Sequence, residues 1–184
     1  MNISHCIINW RGGKFLIVGC ATAWNEAKGL IDYIALSKVL RDDCQIVLVG
    51  ASEQIQSKLP PNIIGIPKTD SVDMLAHIYS MADVVTSLSY AETFGMTIVE
   101  GMACGTPVIA YDNTAQRELI DEHCGFVVPT GNIDALSQAI NKIKANGKAF
   151  YSEECVRKAN TLFNINERYN EYIKLYKELC NSKN

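Results

Sequence analysis

The sequence predicts an α/β chain: a parallel sheet of about six strands with helices on both faces, followed by C-terminal helices. Three observations predict it. Short apolar runs recur without polar/apolar alternation, as strands buried on both faces require. Segments of helical period separate these runs, the pattern left by crossover connections. The 184 residues, 48% apolar and 20% charged, suffice for one sizeable core.

The elements follow in order. KFLIVGCA (residues 14–21) is an apolar run broken at Gly19, as at the end of a buried strand. NEAKGLIDYIALSKVL places Ala27, Leu30, Ile31, Ile34 and Leu40 at helical spacing. QIVLVG (45–50) is the second strand, SEQIQSKL a short helix opened by Ser52, and PNIIGI (61–66) the third strand. SVDMLAHIYSMA (71–82) is an amphipathic helix with Ser71 as N-cap. DVVTS (83–87) makes a fourth strand. The stretch ETFGMTIVEGMACGTPV then carries a helix, which Gly105 ends as a C′ glycine and Pro107 keeps from continuing. PVIAY (107–111) is the fifth strand, TAQRELI a short helix, GFVVP (125–129) the sixth strand, and IDALSQAINKIKAN (133–146) another helix.

Residues 1–13 read as a linker-like segment, 14–150 as the sheet domain and 151–184 as helices without a strand. The last helix carries Tyr169, Tyr172, Ile173, Tyr176 and Leu179 along one face. It packs either on its own sheet or on a neighbour outside this chain.

A net charge of −3 argues against a nucleic-acid partner, which needs a basic face, and gives no support for docking on an anionic membrane. The seven cysteines are odd in number and lack CxxC spacing, the usage of reduced thiols in a cytosolic protein. His5, His77 and His123 form no metal signature, so no metal site is expected. The start, MNISHCIINWRGG, has no leader-like apolar run, and no run of about 18 apolar residues occurs. A cytoplasmic location is expected, with attachment to a membrane surface through a partner left open.

The chemistry concentrates in ETFGMTIVEGMACGTPV. In a sheet of this kind, ligands bind at the carboxyl ends of the strands, near the switch in strand order. The first turn of the helix beginning near Gly95 has free N–H groups and a positive dipole end, and Gly95 lets a ligand approach that backbone. A phosphate or a sugar hydroxyl suits such a place. Glu92 lies just before the turn, where a carboxylate accepts hydrogen bonds from hydroxyls. Glu100 lies about a turn and a half into the helix, among Ile98, Val99, Met102 and Ala103. An ionised carboxylate in apolar surroundings is costly unless paired, and a ribose diol that donates two hydrogen bonds would pair it. Plainer readings stay open: Glu92 answering only the helix dipole, Glu100 pairing with a neighbouring cation, and Lys28, beside Gly29, being only a solvated charge.

ETFGMTIVEGMACGTPVIA resembles the signature of the family 4 retaining glycosyltransferases, nucleotide-sugar-dependent enzymes of the GT-B fold. That pattern is Glu, seven residues, Glu, with Phe-Gly after the first and Ala-x-Gly-x-Pro-Val after the second. FLIVGCATAWNEAKGL is similar to the family's first strand and phosphate loop, IYSMADVVTSLS to its Tyr-x-x-Ala-Asp segment, and GFVVPTGNIDALSQAI to its late Gly…Asp…Leu…Ala-Ile stretch. The likeness runs from about Lys14 to the C-terminus. It implies the C-terminal, donor-binding half of a two-domain enzyme: a Rossmann-like nucleotide-sugar-binding domain over residues 14–150, with an N-terminal acceptor domain lying outside this chain.

Carried over residue by residue, the resemblance makes Glu92 the glutamate at the donor sugar or reacting centre, with Lys28 the diphosphate lysine; these two are the catalytic candidates. It places Phe94, Gly95, Met96, Thr97 and Gly19 at the sugar and phosphates, Glu100 on the ribose, and Ile64, Gly65 and Ile66 at the base. It implies no cofactor and no metal, a UDP- or GDP-type sugar as donor, and a glycan or lipid-linked saccharide as acceptor. One departure stands out: the family commonly has Gly-Arg after the first strand, and this chain has Gly19-Cys20. The expected positive groups on the leaving diphosphate are therefore Lys28, the helix start and Arg117, with Arg11 a poor substitute.

The implied reaction is transfer of a sugar to an acceptor hydroxyl with retention, in surface polysaccharide or capsule assembly. A non-catalytic nucleotide-binding or interaction module of the same fold is the alternative, and the missing arginine is its best support. A dinucleotide-dependent oxidoreductase would need G-x-G-x-x-G where VGCATAW stands, and a phosphate-accepting receiver domain would need carboxylates that IVGCA lacks.

Overall fold

The computed structural model describes residues 12–113 and 115–181. The linker-like stretch, apart from Gly12 and Gly13, lies outside the described residues, as do Arg11 and Thr114. Six strands form one sheet in the order β3-β2-β1-β4-β5-β6, and every neighbouring pair is parallel. They are β1 (Phe15–Cys20), β2 (Cys44–Val49), β3 (Ile63–Ile66), β4 (Val84–Ser87), β5 (Val108–Tyr111) and β6 (Gly125–Val128). Strands buried on both faces cannot alternate apolar with polar residues, which is why these read as continuous apolar runs. Ile17 in β1 pairs with Ile46 in β2 and Val84 in β4, and all three are essentially inaccessible. Burying each such side chain contributes roughly 1.5–3 kcal/mol.

The helices that cover the sheet are α1 (Leu30–Val39), α2 (Glu53–Gln56), α3 (Val72–Met81), α4 (Met96–Ala103), α5 (Gln116–Leu119) and α6 (Ile133–Asn146). Ser71 caps α3 by accepting the Met74 N–H at 3.1 Å, and Asn132 caps α6 by accepting that of Ala135 at 2.9 Å. At the far end of α3, Lys148 donates to the Ser80 and Ala82 carbonyls at 2.5 and 2.9 Å, satisfying acceptors that the helix leaves open. Asp83, the acid of IYSMADVVTSLS, accepts the Leu16 N–H at 2.8 Å and so ties the start of β4 to β1.

One expectation is corrected here. NEAKGLIDYIALSKVL is not a continuous helix: a 3₁₀ turn over Glu26–Lys28 ends at Gly29, whose φ of 72° is left-handed, and α1 starts afresh after it. The restart changes the helical phase. Tyr33 and Leu36 become the fully buried positions, Leu30, Ile34 and Leu40 are only partly buried, and Ile31 is 56% exposed. Tyr33 wins the core because its hydroxyl reaches Thr86, donating to that carbonyl at 2.9 Å, while its ring meets Trp24 edge to face.

Two further helices follow, α7 (Ala149–Leu162) and α8 (Ile165–Asn181). α7 packs on α4 and buries Tyr151, Cys155 and Ala159, and Ser152 donates to the Gly105 carbonyl at 2.7 Å. α8 behaves differently. It has no buried residue, and Tyr169, Tyr172, Ile173, Tyr176 and Leu179 are all exposed. Of the two placements open for this helix, packing on its own sheet is not what the structure shows. No described helix is long and apolar enough to cross a membrane.

Candidate functional site

Strand order reverses between β1 and β4, so the loops that leave their carboxyl ends diverge and open a crevice. Lys28 stands on the first loop and Glu92 on the second. The Lys28 ammonium meets Glu92 Oε1 at 2.5 Å across that crevice. Both side chains are partly buried, 34% and 20% exposed. Local geometry sets Lys28: Asn25 accepts its backbone N–H at 3.0 Å and so caps the 3₁₀ turn, and Gly29 closes the turn. The Tyr90 N–H donates to the Ala27 carbonyl at 2.9 Å, which holds the two loops together two residues short of Glu92.

α4 begins at the mouth of the same crevice. Gly95 has φ of 97°, and no side chain caps the first turn of the helix. A Cβ on Gly95 would come within 3.2 Å of both Gln116 and Leu119, so a side chain there is both strained and crowded. Met96 is exposed. The Thr97 hydroxyl donates to the Cys20 carbonyl at 3.4 Å, linking the helix start to the end of β1. Phe94 packs edge to face on Phe163, with centroids 5.7 Å apart, and so fastens the site loop to the end of α7. Behind the loop, buried Gln116 donates to the Ser87 hydroxyl and accepts from Asn113 at 3.1 Å, while Asn113 also donates to the Ser89 carbonyl at 2.6 Å.

Glu100 is the fifth residue of α4. The expectation that it is buried among Ile98, Val99, Met102 and Ala103 is corrected: the first three are one or two positions away and do not face it, and Ala103, three positions on, shares its face but is not buried. Ile98, Val99 and Met102 enter the core, Ala103 is exposed, and Glu100 is only partly buried. Its Oε2 accepts the Tyr79 hydroxyl at 3.1 Å. Among the described residues no cation pairs with it. Burial pushes its pKa above the ordinary carboxylate value, and the Tyr79 bond partly offsets this. The Cys20 thiol lies beside the same tyrosine hydroxyl and is itself raised, chiefly by burial.

The remaining candidates fall in several places. Gly19 lies inside β1, paired with Leu48 and Thr86, and the space where its Cβ would stand is taken by the Tyr33 hydroxyl at 2.5 Å. Its visible role is to admit Tyr33 to the core. Ile64, Gly65 and Ile66 form the end of edge strand β3, two strands from β1. Arg117 is exposed and pairs with Asp112 at 3.4 Å rather than with the Lys28–Glu92 pair. From the sequence, Tyr79 entered only as the tyrosine of the Tyr-x-x-Ala-Asp resemblance and Cys20 only as the departure from arginine, neither with a role at Glu100, and the Asn113–Gln116 pair was not singled out. The signal for Tyr79 was a tyrosine on the buried face of an amphipathic helix, because a buried phenol must find a partner.

Fold and site together define a doubly wound α/β domain with a charged crevice and an uncapped helix start at its switch point. A family model described as "Glycosyl transferases group 1" matches residues 9–161, and the chain belongs to that family. Its architecture is that of the C-terminal domain of a GT-B glycosyltransferase. It is 34% identical over 88 residues to D-inositol 3-phosphate glycosyltransferase of Mycobacteroides abscessus, a match covering 47% of this chain and 20% of that protein. Among solved structures, it is similar to sucrose-phosphate synthase of Thermosynechococcus elongatus, with a TM-score of 0.80 and 27% identity over 99% of this chain and 49% of that one. HepE of Anabaena, solved with UDP-glucose, shares the fold, with a TM-score of 0.79 and 20% identity over 96% of this chain and 51% of that one. The chain thus spans about half the length of these solved structures and less of the curated relative.

Proposed function

We propose that this chain is the nucleotide-sugar-binding half of a retaining glycosyltransferase that moves a sugar from an NDP-sugar to an acceptor hydroxyl. The observation that carries the reading is Glu100: a partly exposed carboxylate, unpaired by any cation among the described residues, one turn into a helix whose start has no side-chain cap. A ribose diol gives such a carboxylate two donors, and the diphosphate then lies toward the free N–H groups of Met96 and Thr97. The UDP-glucose held by HepE supports a donor of this class.

The chemistry then falls to few groups. Departure of the nucleoside diphosphate builds negative charge, and fixed donors aimed at it lower the barrier most in a dry cleft. Lys28 and the start of α4 are those donors, with no metal and no cofactor called for. Glu92, paired to Lys28, faces the reacting sugar. It is not one of two glycosidase carboxylates, because such a pair activates water or forms a glycosyl-enzyme, and here Glu100 is committed to ribose.

The acceptor, a glycan or lipid-linked saccharide, is bound by an N-terminal domain outside this chain, and the exposed face of α8 packs on that domain. The setting is surface polysaccharide or capsule assembly at the cytoplasmic side of a membrane. The second reading is a nucleotide-binding module without chemistry, and Cys20, standing where the resemblance expects arginine, favours it. Calorimetry with UDP, GDP and their sugars tests the first. Binding by the native chain, weakened in Glu100→Ala and Lys28→Ala, supports it; unchanged affinity in both variants contradicts it. Joining an acceptor domain and assaying sugar transfer separates the two readings.

A further inference from the structure

Tyr79 sits on α3 with its side chain 1% exposed. Its backbone is anchored independently of its hydroxyl: the Tyr79 carbonyl accepts the Thr106 hydroxyl at 2.6 Å and the Ala82 N–H at 3.2 Å. The ring therefore carries its hydroxyl to a fixed point, and that point is Glu100 Oε2, 3.1 Å away. A partly exposed glutamate with no ion-pair partner among the described residues, held by no other bond, would sample several rotamers, at an entropic cost to any ligand that must hold it. One donor fixed from inside the fold removes that freedom. It occupies a single lone pair, leaving Oε1 and further acceptor capacity for two incoming hydroxyls.

We infer that Tyr79 is a positioning residue for nucleoside recognition: it clamps one oxygen of Glu100 from the core side so that the other meets the ribose hydroxyls. This rests on the reading of Glu100 as the ribose ligand and extends it to a residue on a different helix. A tyrosine needed for packing alone would be replaced without loss by phenylalanine, which keeps the ring and both bonds to the backbone carbonyl. The hydroxyl is the part that acts.

The test is calorimetry on the 184-residue chain with UDP and GDP, and with the 2′,3′-dideoxy form of whichever binds more tightly. The native chain should lose about tenfold in affinity when both ribose hydroxyls are removed. Tyr79→Phe should weaken the ribonucleotide about five- to tenfold and leave the dideoxynucleotide within about twofold. Adding Tyr79→Phe to Glu100→Gln should cost nothing beyond Glu100→Gln alone, because the two side chains act as one unit. Circular dichroism on each variant shows that it is folded. Equal losses on both nucleotides, no loss on either, or losses that add to Glu100→Gln would overturn the positioning role and leave the ribose reading standing. A native chain that binds neither nucleotide, or does not distinguish ribo from dideoxy, would sink the ribose reading and the positioning role with it.

Discussion

Lys28 and Glu92, 64 residues apart in sequence, form an ion pair at 2.5 Å across the crevice between the β1 and β4 loops. In the free chain each partly neutralises the other, so a diphosphate that takes Lys28 competes with Glu92 for it. Lys28→Ala should therefore weaken UDP or GDP binding about 10- to 100-fold, the scale of a lost charge-assisted hydrogen bond. Glu92→Gln removes the competitor and should strengthen binding by about two- to fivefold, as a partly exposed pair allows. Calorimetry on both variants reads the two opposite signs. Weaker binding in Glu92→Gln would mean that the carboxylate holds the nucleotide rather than rivals it.

Glu100 gives a prediction in pH. Burial raises its carboxyl pKa in the folded chain, so the native state holds the proton more tightly than the unfolded state does. Stability from this group is therefore highest below the unfolded pKa and is lost as pH rises through the raised folded value. Glu100→Gln should melt at or above the native temperature at pH 7.5, and this margin should vanish at pH 4. Nucleotide affinity should run the other way, falling as the pH drops through the raised pKa, since in the proposed reading the ribose hydroxyls donate to the ionised form. Thermal unfolding and calorimetry at the two pH values check both. A Glu100→Gln variant less stable than the native chain at pH 7.5 would show that the carboxylate belongs to the fold rather than to a ligand.

What the sequence discloses depends on range. The six strands were legible because burial on both faces leaves continuous apolar runs, and the caps Ser52 and Ser71 follow from local hydrogen bonding. The buried face of α1 was misread because Gly29 breaks the helix and resets its phase, a conformational event that an apolar count does not register. Glu92 and Glu100 could be singled out from residue type and spacing, and Lys28 from the family resemblance. Their partners could not: Glu100 meets Tyr79 from 21 residues away, and Thr97 reaches the Cys20 carbonyl from 77 away. Such contacts exist only once the sheet order brings α3, α4 and the end of β1 together.

Gly95 joins stability to the site. Its φ of 97° is costly for any L side chain, and a Cβ would press on Gln116 and Leu119 at 3.2 Å. Gly95→Ala should lower stability by about 1–3 kcal/mol, the cost of a strained backbone position. The crowding falls on Gln116, which holds Ser87 and Asn113 behind the loop, so nucleotide binding should weaken as well. Urea unfolding reads the first effect and calorimetry the second. A variant as stable as the native chain would show that the helix start can take another conformation.

The last prediction concerns α8. A helix of 17 residues with no buried side chain contributes little to the sheet domain, and alone in water such a helix is marginal. Truncation after Asn164 keeps the Phe94–Phe163 contact and removes the whole tyrosine-rich face. The truncated chain should melt within about 2 °C of the native one and bind UDP or GDP with unchanged affinity, because a stability change well under 1 kcal/mol moves a domain of this size no further. When an acceptor domain is supplied, truncation should instead abolish its association, since the face proposed to pack on it is gone. A large drop in melting temperature for the isolated chain would place α8 on its own sheet in solution, and the face would then have a partner within this domain.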